Sequence, residues 1–470
     1  MPIHVSIREQ LAIGRYLLKS IALTIPIGVL AGSACALFLW SLERATQLRF
    51  EYPWLLWLLP FGGAAIGWLY WAFGKSVEAG NNLIVDEIHE PGGGVPLRMA
   101  PLVLIGTIVT HLFGGSAGRE GTAVQMGGSL AGGIARWIPG LDRGDVQTML
   151  MAGIAAGFGG VFGTPVAGMI FALEVLVVGR MNYRAILPCL IAAIISDRTC
   201  TAWGIGHTHY QITSILPAGS LSHVAPINGR LMACAVGGGI VFGLTSLLFA
   251  ELTHGIHWVF KRFIPWPIVR PMLGGCAVIG LTYLVGTRDY LGLGVSSPDV
   301  DAVTIVSSFQ ADGAHPWSWW WKIVFTAVTL GSGFKGGEVT PLFFIGAALG
   351  NTLAWLTGAP VDVFAALGFV SVFAGATNTP IACTMMAVEL FGGEYVLYFA
   401  VSCLLAYLFS GHSGIYLSQR IGLSKHGGPA LPPNASLRTA REAKVGLHQW
   451  LAAARRQVPA NDDSEKENDR

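Results

Sequence analysis

Charged side chains are scarce in this 470-residue chain: they make up 12% of it, whereas hydrophobic residues make up 53%. Soluble globular proteins carry about 25% charged residues. The deficit excludes an ordinary soluble protein and predicts an integral membrane protein. The net charge of only +2 gives no reason to expect a nucleic-acid partner.

Cysteine is also rare. The seven cysteines lie mostly within apolar runs and never form a Cys-x-x-Cys pair, which argues against both disulfides and a metal site. No His-Glu-x-x-His motif of zinc proteases occurs, and Phe73-Gly-Lys-Ser76 lacks the earlier glycine that a phosphate-binding loop needs. We therefore expect no enzymatic activity, no metal and no cofactor.

Charge-free apolar runs recur along the chain, and a helix needs about 20 such residues to cross a bilayer. They predict helices, because the strands of a membrane barrel would alternate in short segments. Several runs are too long for one crossing and contain Gly or Pro, which predicts two helices or a broken helix within each. The runs are 20–42, 52–74, 99–118, 146–173, 231–250, 271–287, 363–388 and 395–419.

Basic residues flank the apolar region on both sides. Because cytoplasmic segments carry an excess of Lys and Arg, both termini are predicted to be cytoplasmic. Residues 426–470 form a predicted cytoplasmic tail, in which 437–457 suits a short basic helix and 461–470 is polar and acidic. The flanking basic residues are Arg8, Arg15, Lys19, Arg438, Arg441, Lys444, Arg455 and Arg456.

The chain contains a weak internal repeat. Thr164-Pro165 and Thr379-Pro380 each stand in a Gly- and Ala-rich segment, and in both cases a glutamate follows nine residues after the proline. These glutamates, Glu174 and Glu389, are interpreted as structural carboxylates at helix ends. Duplicated bundles with interrupted helices are typical of transporters. We therefore predict one repeat at 1–220 and a second at 225–425.

A glycine-rich break at 114–128 carries Arg119 and Glu120 between two apolar segments. An ionisable residue inside a membrane region is costly and is by default a functional-site hypothesis. Glycine beside a helix start leaves backbone amides free to bind an anion. Arg119 is interpreted as a structural counter-charge. The loop between the repeats contains His207 and His209, which are predicted to be surface residues.

Four motifs carry a resemblance that spans nearly the whole chain, to about residue 422. Gly118-Arg-Glu-Gly-Thr-Ala-Val-Gln125 resembles the Gly-Arg-Glu-Gly-Pro signature of the CLC family of chloride channels and proton-coupled anion antiporters. Gly336-Gly-Glu-Val-Thr-Pro341 resembles the third anion-site motif of that family, and Tyr416 matches its pore-lining tyrosine. Gly80-Asn-Asn-Leu83 stands where the first motif, usually Gly-Ser-Gly-Ile-Pro, belongs.

The departures from the chloride pattern resemble the fluoride-exporting CLC-F branch. Asn81 replaces the usual serine, Thr122 the usual proline, and Val175 the inner glutamate that carries protons in chloride antiporters. Glu338 and Thr340 are additional polar residues. The resemblance implies an all-α polytopic membrane protein with a CLC-type inverted-topology repeat of broken, tilted helices. It also implies a homodimer with one pathway per subunit, which exports fluoride in exchange for protons across a bacterial inner membrane.

A buried anion must find hydrogen-bond donors, because an unpaired buried charge is very costly. Helix starts supply backbone N–H groups and the positive end of the helix dipole, without a fixed charge that would prevent release. The predicted anion-binding donors are the amides of Gly121, Thr122, Val339 and Thr340, the Asn81 side-chain amide and the Tyr416 phenol.

Two glutamates are predicted to move protons. Ionised Glu120 can occupy the anion site itself, whereas protonated Glu120 loses that attraction, so this residue can act as a proton-coupled gate. Glu338 either transfers protons to Glu120 or holds the anion through a protonated carboxyl group; a purely structural ion pair with Lys335 is the other possibility. The alternatives for the whole protein are a chloride or nitrate exchanger and a passive anion channel, since channels and antiporters share this fold.

Overall fold

The structure is a computed structural model that describes residues 7–208, 210–214, 227–427 and 435–442. Helices dominate it, as predicted. The described residues of the first half form α1 (Ile7–Glu51), α2 (Leu59–Phe73), α3 (Asn81–His89), α4 (Met99–Leu112), α5 (Glu120–Trp137), α6 (Arg143–Phe162), α7 (Pro165–Glu174) and α8 (Ile186–Ala202). Those of the second half form α9 (Gly229–Phe263), α10 (Val269–Val285), α11 (Ser318–Gly331), α12 (Val339–Thr357), α13 (Val361–Thr377), α14 (Pro380–Phe391), α15 (Val396–Phe409) and α16 (Leu437–Glu442).

Strand structure is confined, among the described residues, to one parallel pair. The strand β1 (Val177–Val178) pairs with β2 (Arg420–Ile421). Six helices in the described part of the chain are long and apolar enough to cross a membrane. The chain is therefore a polytopic helical membrane protein.

Two of the predicted long runs are broken helices. The run 146–173 divides into α6 and α7, and the run 363–388 divides into α13 and α14. In each case the first helix ends at a residue with left-handed backbone, Gly163 with φ 71° or Asn378 with φ 59°. A Thr-Pro pair follows, and the proline is the first residue of the new helix, where its fixed φ fits and its missing N–H costs nothing.

The short helices α7 and α14 cap each other. The Glu174 carboxylate accepts hydrogen bonds from the backbone N–H groups of Ile381 (3.2 Å) and Ala382 (2.9 Å) at the start of α14. The Glu389 carboxylate accepts from Val166 (3.0 Å) and Ala167 (2.8 Å) at the start of α7. The interpretation of both glutamates as structural helix-end carboxylates is confirmed.

Glycine lets paired helices cross at backbone contact. A Cβ on Gly127 of α5 would collide with the carbonyl group of Gly153 on α6. In the second half, Gly346 of α12 and Gly368 of α13 make the same kind of crossing. Small residues at such crossings are the usual means of close helix packing in membranes.

Three predictions about where segments begin and end are either wrong or concern residues outside the described part of the chain. The run 99–118 is not one helix, because α4 ends at Leu112 and the glycine-rich segment up to residue 119 is not helical. Residues 435–442 of the predicted tail lie against the body: Leu437 is buried, and its amide donates to the Gln419 carbonyl oxygen at 2.9 Å. Within the predicted basic helix 437–457, only 437–442 are described, and 461–470 lie wholly outside the described residues.

Candidate functional site

The starts of α5 and α12 meet through their preceding glycine segments. Gly118 and Gly337 exchange backbone hydrogen bonds of 2.6 and 2.8 Å as an antiparallel bridge. A Cβ on Gly337 would lie only 2.8 Å from the Gly121 amide nitrogen, so this approach requires glycine. The bridge brings together the amides of Gly121, Thr122, Val339 and Thr340, which the sequence analysis named as anion donors. Free N–H groups at helix starts form an anion-binding environment.

Glu120 occupies this environment. It is 1% exposed. The Thr340 amide donates to its Oε2 at 3.0 Å, and the Thr340 hydroxyl donates to Oε1 at 2.6 Å and to Oε2 at 2.7 Å. The Arg119 amide donates to Oε2 at 3.1 Å, and Arg119 Nε lies 3.6 Å from Oε1. A carboxylate from one half of the chain is thus held by the helix start of the other half.

The predicted donor Thr122 contributes only its backbone. Its hydroxyl is paired with the Thr107 hydroxyl at 2.7 Å, and both residues are fully buried. Val339 is also buried, so it can offer only its amide to an ion. The two residues therefore lie at the meeting point of the helices, with their side chains directed to packing.

A polar cavity with an empty volume of about 600 Å³ opens beside this meeting point. We call it the Tyr416 cavity; it is lined by Tyr416, Asn81, Glu338, Gln125, Lys335 and Tyr70, among others. Asn81 Nδ2 lies 3.1 Å from the place where a Cβ on Gly121 would be, and Glu338 Oε2 lies 3.8 Å from it. The predicted site residues Asn81, Glu338 and Tyr416 therefore come together next to the amides at the start of α5.

Lys335 and Glu338 attract each other electrostatically, but no contact within 4.0 Å joins their charged atoms among the described residues. Lys335 Nζ lies 4.1 Å from the centre of the Tyr70 ring. The Asn81 Oδ1 atom is buried and has no hydrogen-bond partner in the described part of the chain. The cavity wall thus contains one buried polar atom, Asn81 Oδ1, that no other described residue pairs with.

A second, narrower cavity reaches Glu120 from another direction. It has an empty volume of about 340 Å³, and we call it the His207 cavity; Arg119, Glu120, Phe162, His207, Tyr210 and Thr340 contribute to its lining. Glu120 and Thr340 belong to this lining, whereas Asn81, Glu338 and Tyr416 line the other cavity.

The packing of α1, α3 and α6 shows which helix ends lie near each cavity. α1 and α6 run side by side in the same direction, since Lys19 Nζ lies 2.5 Å from Asp145 Oδ2 and Cys35 Sγ lies 3.7 Å from the Gly157 carbonyl oxygen. The end of α3, opposite to Asn81, lies near the start of α6, because Gln147 Nε2 donates to the Ile88 carbonyl oxygen at 2.7 Å. Phe162 ends α6 at the His207 cavity. The two cavities therefore lie at different places around the helix starts, the Tyr416 cavity at the start of α3 and the His207 cavity at the end of α6.

Sequence reasoning missed several residues of this region. Tyr70 carries no motif, and neither Gln125 nor Lys335 was assigned to the anion path, yet all three line the Tyr416 cavity. His207 was predicted to be a surface residue, but it lines a cavity with Glu120. His209 lies outside the described residues.

One enzyme-like pattern has a structural explanation. The segment 114–118 spells Gly-x-Ser-x-Gly, the pattern around the nucleophile of α/β-hydrolases. Ser116 is completely buried, and its hydroxyl is 2.9 Å from the Thr326 hydroxyl. It does not stand on the exposed turn between a strand and a helix that such a nucleophile needs.

Comparison with known proteins agrees with this geometry. Residues 62–411 match the family model described as voltage gated chloride channel. The chain belongs to the voltage-gated chloride channel (CLC) family. The CLC assignment made from the motifs is thereby confirmed, and the members are transporters and channels.

Individual CLC relatives extend the match. A chloride/fluoride channel protein of Pseudomonas syringae pv. tomato is 52% identical over 90% of this chain and 90% of its own. The crystal structure of a CLC-type fluoride/proton antiporter superposes with a TM-score of 0.79 at 34% identity, covering 89% of this chain and 100% of that one. A slow cyanobacterial Cl⁻/H⁺ antiporter shares the fold, with a TM-score of 0.70 at 19% identity over 83% of this chain and 94% of its own. The predicted all-α inverted-repeat CLC architecture is confirmed, while the repeat boundaries at 1–220 and 225–425 stay predictions.

Proposed function

We propose that this protein exports fluoride from the cytoplasm in exchange for protons and that Glu120 is its gate. One observation carries the proposal: the buried Glu120 carboxylate is held by the amide and the hydroxyl of Thr340 at a meeting of two helix starts. These donors suit any small anion, so a carboxylate and a fluoride ion compete for them. The 34% identity to a fluoride/proton antiporter supports fluoride as the ion.

Protonation of Glu120 links the two transported ions. The ionised carboxylate accepts from Thr340 and closes the route between the Tyr416 and His207 cavities. A proton converts it to a neutral acid that attracts these donors far less, because charge-assisted hydrogen bonds are roughly twice as strong as neutral ones. The side chain then leaves, and fluoride takes its place. When fluoride departs and the proton is released, the carboxylate returns.

Fluoride enters in this scheme from the Tyr416 cavity. Asn81 Nδ2 and the Tyr416 hydroxyl are neutral donors at its wall, next to the amides of Gly121 and Thr122. The amides of Val339 and Thr340 take over as the ion moves to the position of Glu120. Neutral donors bind the ion without holding it permanently, which transport requires.

Glu338 has one of two roles in the proposal. It lines the Tyr416 cavity and has no ion pair with Lys335 within 4.0 Å in the described part of the chain. A carboxyl group there repels fluoride when it is charged, so it acts while protonated. It either passes protons between the cytoplasm and Glu120 or donates its own hydrogen bond to the bound fluoride.

The cellular setting follows from the same proposal. Fluoride export places the protein in a bacterial inner membrane, with both termini in the cytoplasm and the Tyr416 cavity on the cytoplasmic side. A homodimer with one pathway per subunit is proposed from the family resemblance. Such a protein would confer resistance to fluoride.

Proteoliposomes test the function. Vesicles loaded with fluoride are diluted into fluoride-free buffer, and fluoride efflux and proton uptake are recorded together with ion-selective electrodes. We expect the fluoride gradient to drive protons inward against a pH gradient. Fluoride current that ignores the pH gradient would support a passive channel, and equal proton coupling to chloride or nitrate would support the corresponding exchanger.

Two glutamine variants test the gate and the inner glutamate. Glu120→Gln mimics the protonated gate, so we expect fluoride movement without coupled protons. Glu338→Gln should reduce proton uptake per fluoride if Glu338 transfers protons, and weaken fluoride binding with coupling intact if it donates to the ion. The exposed Glu394→Gln is the matched control and should behave as the unchanged protein. Persistent proton coupling in Glu120→Gln would refute the gate.

A further inference from the structure

The His207 cavity contains an ion pair that the transport scheme above does not use. His207 Nε2 lies 3.7 Å from Asp197 Oδ1, and the two side chains are 18% and 14% exposed. Asp197 belongs to α8, and His207 to the segment that follows α8. His207 shares the cavity wall with Arg119 and Glu120. A histidine and a carboxylate thus stand next to Glu120, at a cavity separate from the Tyr416 cavity.

The backbone around His207 leaves room for its ring. Gly163 ends α6 with φ +71°, and a Cβ there would lie 2.6 Å from His207 Cδ2. Glycine at position 163 therefore permits the left-handed turn and also leaves space for the imidazole ring of His207. The Nε2 atom of His207 is buried and forms no hydrogen bond within the described residues, and the same holds for Arg119 Nε. The cavity thus contains two buried nitrogen atoms without hydrogen bonds, beside a carboxylate that is protonated in each cycle of the proposed exchange.

We propose that His207, paired with Asp197, relays protons from the outer solution to Glu120. This inference rests on the proposed fluoride/proton exchange, in which protons travel inward and must reach the gate from the side opposite the cytoplasm. Histidine suits the task because its unperturbed pKa lies near 6.5 and each ring nitrogen can take up or release a proton.

The proton step balances without any further reactant. A proton from the outer solution binds one nitrogen of the neutral imidazole, and the Asp197 carboxylate stabilises the imidazolium that forms. The imidazolium then gives one proton to the Glu120 carboxylate, directly or through one water molecule in the cavity. Neutral imidazole and neutral Glu120 remain, and the protonated gate is free to move.

Several charged groups face this pair. Arg119 lines the same cavity as His207 and Glu120, and its Nε lies 3.6 Å from Glu120 Oε1. The exposed Arg198 lies 3.9 Å from Asp197 Oδ2. Arg119 and Arg198 bring positive charge to this region, whereas Asp197 and ionised Glu120 bring negative charge. Among the described residues, further titratable groups near the pair are the thiol of Cys200, the phenol of Tyr210 and the carboxylate of Glu389, which is bound at the start of α7.

The test compares proton uptake at different outer pH values. Vesicles with the full protein receive a fixed fluoride gradient, and proton uptake is measured from outer pH 5 to 8 for the unchanged protein, His207→Gln and Asp197→Asn. His315→Gln is the matched control, since His315 is an exposed histidine in the segment between α10 and α11. A positioned acid–base group contributes about 10²- to 10⁴-fold, but water can partly replace it in an open cavity, so we expect a loss of about tenfold at outer pH 7.5 in His207→Gln.

The pH profile and a rescue experiment show whether His207 relays protons or only supports the local structure. We expect the His207→Gln deficit to shrink toward pH 5, the number of protons per fluoride to stay unchanged, and added imidazole to restore His207→Ala. A uniform loss at every pH with a lower melting temperature and no rescue would overturn the relay. So would a changed fluoride KM with an unchanged pH profile, which indicates an anion site. If the unchanged protein moves fluoride without protons, the proposed function fails and this inference fails with it; coupling in the unchanged protein separates the two cases.

Discussion

The reciprocal caps between α7 and α14 allow a quantitative prediction. Glu389 accepts two backbone N–H groups at the start of α7, and Glu174 does the same at the start of α14. In Glu389→Gln the amide oxygen can replace only one acceptor, and its NH₂ group faces the second N–H donor. The variant therefore loses one hydrogen bond and the attraction between the carboxylate and the helix dipole.

The expected loss follows from typical magnitudes. A hydrogen bond to a charged group contributes about 1.5–3 kcal/mol, and a charge at a partly buried helix end up to about 2 kcal/mol. Since the amide retains part of both, we expect the free energy of unfolding to fall by about 2–3 kcal/mol. Glu174→Gln should lose a similar amount. α7 spans 10 residues, so the two caps lie roughly 14 Å apart at 1.5 Å per residue and the double variant should be nearly additive.

Thermal unfolding in detergent measures this loss. Medium-sized soluble domains lose about 2–4 °C per kcal/mol and larger chains less, so a fall of roughly 2–5 °C is expected for each single variant. Glu394→Gln is the control, because Glu394 is an exposed glutamate five residues further along the chain. If Glu389→Gln melts at the temperature of Glu394→Gln, the Glu389 carboxyl group is not ionised in the fold and the charge–dipole argument is wrong.

Three further variants test the helix starts and the C-terminal attachment. Gly337→Ala should reduce fluoride flux more than tenfold without unfolding the protein, because its Cβ would lie 2.8 Å from the Gly121 amide; Gly280→Ala, with nothing within 4 Å, is the control, and equal fluxes would contradict the need for close approach. Thr340→Val removes a hydroxyl donor worth about 1.5–3 kcal/mol to the gate, so fluoride should pass with fewer protons, as paired electrode recordings would detect; unchanged coupling would contradict a latch by the hydroxyl. Lys425→Met should lower the melting temperature, since Lys425 Nζ donates to Asn378 Oδ1 at 2.5 Å and to the Tyr407 carbonyl oxygen at 2.6 Å. An unchanged melting temperature would show that these hydrogen bonds do not hold the segment after α15 against the helices.

Sequence reasoning predicted the fold because its signals are local. Charge-free runs predict membrane helices, and the two Thr-Pro pairs predict where long runs break. The internal repeat also lays residues 118–122 near residues 337–341. The antiparallel bridge between Gly118 and Gly337 agrees with that alignment.

Contacts between distant segments could not be predicted in the same way. The pairing of Thr122 with Thr107 depends on how α4 lies against α5, and no local pattern encodes it. The composition of the polar stretch around His207 predicts a surface residue. Its ring reaches the cavity because it packs against Gly163, which belongs to a distant segment of the chain. A residue whose role depends on one glycine in another helix gives no signal in its own neighbourhood.

The gate owes its properties to an asymmetry between the two helix starts. α5 begins with Glu120 and α12 begins one residue after Glu338, so each half supplies a carboxylate at its own helix start. Only Glu120 reaches across to the other half and binds the Thr340 amide and hydroxyl, while Glu338 lines the Tyr416 cavity. Because Glu120 borders the His207 cavity and Glu338 borders the Tyr416 cavity, a proton that passes between the two carboxylates in the proposed exchange moves from one cavity to the other. In that proposal the duplicated helix start provides two proton-binding positions in series, and the contact with Thr340 makes Glu120 the one that also closes the anion path.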